Sequence, residues 1–493
     1  MAAGSASFGA KSAGFAAALA LAGAVLSADA VAADAPAAAP SIAAHPWISG
    51  GASISTVEMA SLADKAFKPV SWSDLSNLKL APGPYAVRFQ VAGGDGVAVQ
   101  IPVCAGRKKI LQDGDEVKST APTGLTAQPV SLRLPARPER AYEIEIDLDV
   151  SGYEHRIACG FAPRFGAETT TKDGIGVLTF ASPVSANGGG RAVVFVPPGH
   201  DSKKPGAMLV GLHPWNGGIW TYAAYAELLH EAATKDVVLL MPSGLGNSLY
   251  TASAEEEVLR AIDAMEKVVA VDPQRVSIWG ASMGGAGATT VGFHHPDKFA
   301  GVTSFFGDSK YDLGTYVKAI LPSEAAAHAV NALDVVDNAR NLPTWLVHGE
   351  DDKVSPIAQS EMLAKAMTDR GFAVQFDRVP KAGHEGAVVA KYVAAVVDRA
   401  AAMRAVETPA HVSYRSVRST DSGAYGVKLT KTGGDAFVDL EMKSDALHVL
   451  DAKGVKTIEL APGALGKKSF PVVKDKNAGS VDVRWQTPEA ASP

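Results

Sequence analysis

The chain has 493 residues, enough for two or three domains, with 47% hydrophobic residues and a formal net charge of -6 from 46 basic and 52 acidic side chains. So small a charge over that length gives no reason to invoke nucleic acid or an anionic membrane as partner. The sequence holds no Cys/His cluster with metal-ligand spacing and no phosphate-binding P-loop, so the expected chemistry uses no cofactor and no metal.

Residues 1–32 carry Lys11, an apolar run from Gly14 to Leu26 and the triplet Ala30-Val31-Ala32, the pattern of a signal peptide with an A-x-A cleavage site. The run is shorter than the roughly 18 residues of a spanning helix, and no later segment reads as transmembrane. A secreted or periplasmic protein is expected, with the Ala/Pro-rich residues 33–46 as a flexible linker. From 47 to 166, short strand-like runs recur between turns, at Pro84–Val91, Gly96–Ile101, Val130–Leu134 and Tyr142–Leu148, and read as an N-terminal β-sandwich. Cys104 and Cys159, the two cysteines of the chain, both fall there. In an exported protein they are expected to form a disulfide, the alternative being two buried thiols.

From 167 to 407, strands alternate with helical patterns at Tyr222–Lys235, Ala254–Val269, Pro356–Arg370 and Ala387–Ala402. That alternation implies a mostly parallel sheet with helices on both faces. The apolar run Ala207–Leu212 leads into His213-Pro214-Trp215-Asn216-Gly217-Gly218, a loop able to aim peptide N–H groups at a developing oxyanion. Pro214 has no N–H, so Trp215 is the candidate donor, and His213 reads as structural. Trp215, Trp220 and Tyr222 read either as an aromatic wall for substrate or as core packing.

Gly280-Ala281-Ser282-Met283-Gly284 matches the G-x-S-x-G nucleophile elbow. In a chain with 48 glycines the match alone is weak. Its context is specific: Arg275–Trp279 alternates like a strand, and Ala286–Phe293 continues as a helix that glycines let approach closely. Ser282 is the candidate nucleophile, and the N–H of Met283 is the first candidate oxyanion donor. Asp308 follows the strand-like Phe299–Phe306, and the Ala-rich residues 309–341 read as a lid or as ordinary helices. The buried strand Pro343–His348 then runs into a carboxylate-bearing loop in which Asp352 is the candidate acid, with Asp351 and Asp308 as alternatives. After the strand-like Ala373–Val379 comes His384, a histidine between glycines 383 and 386 and the candidate base. Serine, acid and histidine in that order at three strand ends point to nucleophilic acyl transfer.

After about residue 408 strand patterns return, at His411–Tyr414, Gly423–Leu429, Ala436–Leu440, His448–Leu450 and Thr457–Leu460, and read as a small C-terminal β domain over 408–493. No catalytic group is needed from either terminal domain.

Residues from about 190 to 400 resemble secreted α/β-hydrolases of the prolyl-oligopeptidase and polyhydroxybutyrate-depolymerase/feruloyl-esterase type. The matching stretches are Leu212–Gly218, Asp272–Val276, Gly280–Gly285, His295–Gly301, His348–Asp352 and Gly383-His384. The resemblance implies an α/β-hydrolase fold between the two β domains and a serine hydrolase whose acid lies four residues after the histidine of a His-Gly pair, here Asp352. Pro214 departs from the glycine that relatives often carry. A gating β-propeller needs at least four blades of about 40 residues, more than the roughly 120 residues before the hydrolase supply. The expectation is therefore an esterase acting on an ester substrate, polymeric or small, with a prolyl-oligopeptidase-type peptidase and a non-catalytic binding protein as alternatives.

Overall fold

The computed structural model describes residues 175–486 apart from 186–187, 220 and 467–468. Before residue 175 it describes 41–44, 53–61, 63–64, 66–69, 83–92, 98–101, 108–112, 115–119, 130–133 and 142–150. The signal-peptide segment, Cys104, Cys159 and Trp220 lie outside the described residues, so the expected disulfide does too. Within the segment expected to be a linker, β1 (Ser41–Ala44) pairs antiparallel with β10 (Ile175–Ala181). It satisfies backbone groups that an edge strand would otherwise leave unpaired.

In the N-terminal part, β2 (Ser53–Ser61), β3 (Lys68–Pro69), β4 (Gly83–Ala92), β6 (Lys108–Gln112), β7 (Asp115–Ser119) and β9 (Tyr142–Val150) form an antiparallel sheet in the order β3-β2-β4-β9-β6-β7. A separate pair joins β5 (Ala98–Ile101) to β8 (Val130–Arg133).

The central sheet continues from β10 through β11 (Gly189–Phe195), β12 (Gly206–Leu212), β13 (Val237–Pro242), β14 (Val271–Ala281), β15 (Gly301–Phe305), β16 (Thr344–Gly349) and β17 (Val374–Val379). Its order is β1-β10-β11-β13-β12-β14-β15-β16-β17, with every pairing from β13 onward parallel. β12 is buried along its whole length, as a strand covered on both faces must be. Its side chains alternate: Met208, Val210 and Leu212 enter one core, Ala207 and Leu209 the other. The first core is closed by α2 (Ala252–Glu266), α3 (Met283–His294) and α5 (Ala358–Asp369), the second by α1 (Ala226–Lys235) and α6 (Gly386–Ala402). Residues 309–341 hold α4 (Glu324–His328) and short 3-10 turns. Tyr311, Val317, Leu321, Val330, Val335 and Val336 there are buried in the first core. The segment therefore packs as part of the fold between β15 and β16 rather than standing over it as a lid.

In the C-terminal part, β18 (His411–Ser416), β21 (Ala436–Met442), β22 (Leu447–Lys453) and β24 (Val472–Asn477) face β19 (Gly423–Ala424), β20 (Val427–Lys431), β23 (Val455–Leu460) and β25 (Asp482–Trp485). Alternate residues of β21, Ala436, Val438, Leu440 and Met442, are buried, and the last three share a core with Val427, Leu429, Ile458 and Leu460. Two sheets closing on one such core make a sandwich. Among the described residues no helix is long and apolar enough to cross a membrane.

Candidate active site

Ser282 lies between β14 and α3 with φ 58° and ψ -121°, a backbone region that costs an L-residue free energy and persists only where its surroundings impose it. The imposing contacts are backbone to backbone. A Cβ on Gly280 would collide with the carbonyls of Gly284 and Leu212, one on Gly284 with the carbonyl of Leu212, and one on Gly285 with that of Phe305. The motif glycines are thus demanded by the approach of β12 and β15 to the turn. The Ser282 N–H donates to Phe305 O at 2.9 Å, and Ser282 O accepts from Ala286 N at 2.9 Å. Met283 is the first residue of α3, where the peptide N–H has no intrahelical acceptor and the helix dipole favours negative charge.

The acid and base stand at the ends of the two neighbouring parallel strands beyond β15. His384 Nδ1 donates to Asp352 Oδ2 at 2.7 Å. The other carboxylate oxygen of Asp352 accepts the N–H groups of Val354 (2.8 Å) and Ser355 (3.0 Å). Buried His348 donates from Nε2 to Ser355 O at 2.8 Å, and that nitrogen lies 3.4 Å from Asp352 Oδ2. Burial by itself would raise the Asp352 carboxyl, but the contacts with His348 and His384 and the N–H of Val354 outweigh it and hold the group well below the usual carboxylate range. The alternatives separate cleanly. Asp351 is exposed and held through its backbone N–H to Ala382 O, whereas the Asp308 carboxylate accepts from Ser355 Oγ at 2.6 Å. Burial pushes the Asp308 carboxyl up, and the Ser355 bond offsets part of that rise.

Of the aromatic residues read either as a substrate wall or as core packing, Tyr222 is buried in the second core, which corrects its place among the candidate substrate-binding residues to core packing. Its hydroxyl donates to Leu212 O at 2.8 Å and accepts from Ala281 N at 2.9 Å, one residue before the serine. It lies there because its ring stacks against buried Trp279, with centroids 4.3 Å apart. Trp215 is half-buried against the first core. In the loop after Pro214, Asn216 N donates to Asn247 Oδ1, Gly217 N to Pro214 O and Gly218 N to Thr221 Oγ1. His213 is buried, with its ring nitrogens 2.9 Å and 2.8 Å from the carbonyl oxygens of Pro214 and Ser243, which agrees with its structural reading.

Phe306 was not expected at the site. Its ring lies 4.4 Å from that of His384, on a backbone with φ 39°. The aromatic pair Phe305-Phe306 at a strand end was the available signal, but nothing local told which ring would turn toward the histidine.

This sheet order, with helices on both faces and serine, aspartate and histidine after the parallel strands β14, β16 and β17, is the α/β-hydrolase fold. Residues 247–403, which include Ser282, Asp352 and His384, match the prolyl oligopeptidase family. No curated protein matches the chain significantly. Among solved structures the chain is similar to the fluorophosphonate-binding serine hydrolase F of Staphylococcus aureus, at 17% identity and TM-score 0.40 over 46% of this chain and 97% of that one. It is also similar to an S-formylglutathione hydrolase from Agrobacterium tumefaciens, at 16% identity and TM-score 0.39 over 46% and 95%. A third is a ferulic acid esterase from Anaeromyces mucronatus, at 16% identity and TM-score 0.36 over 46% and 90%.

Proposed function

We propose that the protein is a serine hydrolase that cleaves carboxylic esters through an acyl-enzyme on Ser282. The observation that carries the reading is the 2.7 Å bond from His384 to a buried, ionised Asp352, at the same end of the sheet as a serine held in a strained turn at a helix N-terminus. With Nδ1 donating to Asp352, His384 keeps Nε2 as the base that takes the Ser282 proton and returns it to the leaving alcohol. Asp352 holds the imidazole in that tautomer and stabilises the imidazolium. The N–H of Met283, with that of Trp215 as the proposed second donor, receives the charge on the carbonyl oxygen. Water then hydrolyses the acyl-enzyme by the same steps in reverse.

An alcohol is a better leaving group than an amine and demands less of His384 as an acid, which supports the ester reading. The match to the prolyl oligopeptidase family favours the second reading, a peptidase with the same triad. Residues 1–32 are read as a signal peptide, so export to the periplasm or beyond belongs to the proposal, with Cys104 and Cys159 paired. The intact mass of the unreduced, exported protein tests both, since it should correspond to a chain starting at Ala33 and short of two hydrogens.

The central test is a fluorophosphonate probe, which should label Ser282. Ser282→Ala and His384→Ala should each lower turnover of an aryl ester by several orders of magnitude, with little further loss in the double variant. Normal turnover in Ser282→Ala would remove the proposal. Equal rates on matched ester and peptide substrates would shift it to the peptidase.

A further inference from the structure

The four residues Phe305 to Asp308 reach all three members of the proposed triad, and the mechanism above uses none of them. Phe305 O accepts the Ser282 N–H at 2.9 Å. The Phe306 ring rests on His384. Gly307 packs so close to the first turn of α3 that a Cβ there would collide with Ala286 N. Asp308 Oδ1 accepts the Ser355 hydroxyl at 2.6 Å, and Ser355 gives its own N–H to Asp352 Oδ1 at 3.0 Å. The φ of 39° at Phe306 is backbone strain in the middle of this segment, of the kind that concentrates where surroundings over-determine a functional geometry.

We propose that Asp308 is a positioning residue: through Ser355 it fixes the loop that presents Asp352 to His384, so that serine, histidine and acid are all referred to the one segment Phe305–Asp308. The inference rests on the serine-esterase reading. The residues from Glu350 to Ser355 are in neither strand nor helix, so the acid is held by loop contacts. Of those contacts, the Asp308–Ser355 bond ties the loop to the strand end that also holds the Ser282 peptide. A displacement of about 1 Å at a reacting group lowers turnover by up to about 100-fold, which sets the scale of the effect.

The experiment is steady-state hydrolysis of a small soluble aryl ester by the full chain carrying Asp308→Ala, Ser355→Ala, both, or Asp308→Asn. Each single alanine variant should lower kcat about 10- to 100-fold with KM little changed. The double variant should be no worse than the poorer single one, since both cut the same tie. Asp308→Asn keeps an oxygen that accepts from Ser355 and should recover most of the loss, an outcome that a merely structural or purely electrostatic role does not produce. Wild-type kcat in the singles, multiplied losses in the double, or no recovery in Asp308→Asn each overturns the proposal. Ser355→Ala removes one hydroxyl and carries the test alone, by its kcat, should Asp308→Ala not fold. Failure of the esterase reading shows separately, as retained turnover in Ser282→Ala.

Discussion

At the residue scale, a single hydroxyl at Tyr222 ties the strand that leads to Ser282 to the strand that leads into the His213–Gly218 loop, and burial raises its ionisation well above the usual range, so it stays a neutral donor. Tyr222→Phe should therefore leave a buried carbonyl and a buried N–H unpaired and cost about 1–3 kcal/mol. Denaturant unfolding would detect this; a variant with native stability and altered KM would return Tyr222 to the substrate cleft. Asp352 differs in kind from its neighbours because its carboxylate both holds His384 and is kept ionised by its surroundings. Asp352→Asn should reverse the polarity of the His384 contact, leaving the wrong tautomer, and lower kcat by about 1,000- to 10,000-fold. Asp308→Asn should cost far less. Comparing kcat of the two on one ester decides between them.

At the element scale, the loop after β13 is wound in an unusual way: Gly244, Leu245, Gly246, Leu249 and Tyr250 all have φ between 50° and 73°. Strain of that density is maintained by neighbours. Glu257 from α2 accepts from Ser243 Oγ (2.8 Å) and Gly244 N (3.0 Å), and the Tyr250 hydroxyl donates to His213 O. Asn247 and Asn216 exchange two bonds of 2.7 Å, the Asn216 peptide N–H donating to Asn247 Oδ1 and Asn247 Nδ2 donating to Asn216 Oδ1. The loop thus braces the strand end from which the oxyanion is proposed to be held. Asn247→Ala should release that brace and lower kcat/KM on aryl esters by about 10-fold. An unchanged kcat/KM would show that the remaining contacts of His213 suffice. Gly284→Ala should be more severe, because the new Cβ meets the Leu212 carbonyl rather than a side chain that can turn away.

At the scale of the whole molecule, the C-terminal sandwich is bonded into the hydrolase at the end of α3 remote from Ser282. Buried Arg418 donates to both oxygens of Glu255 (3.0 and 2.9 Å) and to Asp421 (2.9 Å), while His294, at the last turn of α3, pairs with Asp421 at 2.9 Å. Alongside, β18 exchanges bonds with Asn338 and Asn341, and Arg415 pairs with Asp337. Removing residues 409–493 strips these partners and leaves buried Glu255 with His295 alone (2.7 Å), so the truncated chain is expected to be less stable whatever the substrate. Arg418→Met should cost about 3–5 kcal/mol for the same reason. Burial would raise Glu255 and Asp421, but their histidine and Arg418 partners prevail and hold both below the usual range. A carboxylate lowered in the fold stabilises above about pH 4 and loses that contribution as pH falls through its folded value. Glu257 and Asp308, raised by burial, act in the opposite sense and favour the fold in acid. Thermal unfolding midpoints taken from neutral pH downward should fall below about pH 4, and the fall should be shallower in Arg418→Met; parallel curves would place the acid-sensitive groups elsewhere.

The features legible in the sequence are those set by neighbours within a few residues. The alternation of β21, the buried run of β12 and the glycines around Ser282 each follow from a local period or a local collision, so strands, elbow and the chain order Ser282, Asp352, His384 were all readable. The His-Gly spacing singled out Asp352 over Asp351 through resemblance, and the structure supplies the reason, since one carboxylate is buried against His384 and the other is exposed. What the tertiary structure decided is the direction of side chains whose partners lie far along the chain. Tyr222 turned into the core because Trp279 and Leu212 stand there. The Phe306 ring came to rest on His384, and Asp308 met Ser355 rather than the histidine. Arg418 found Glu255 across 163 residues. Such pairings depend on which elements pack against which and at what distance, a property of the assembled sheet and helices that no local pattern encodes.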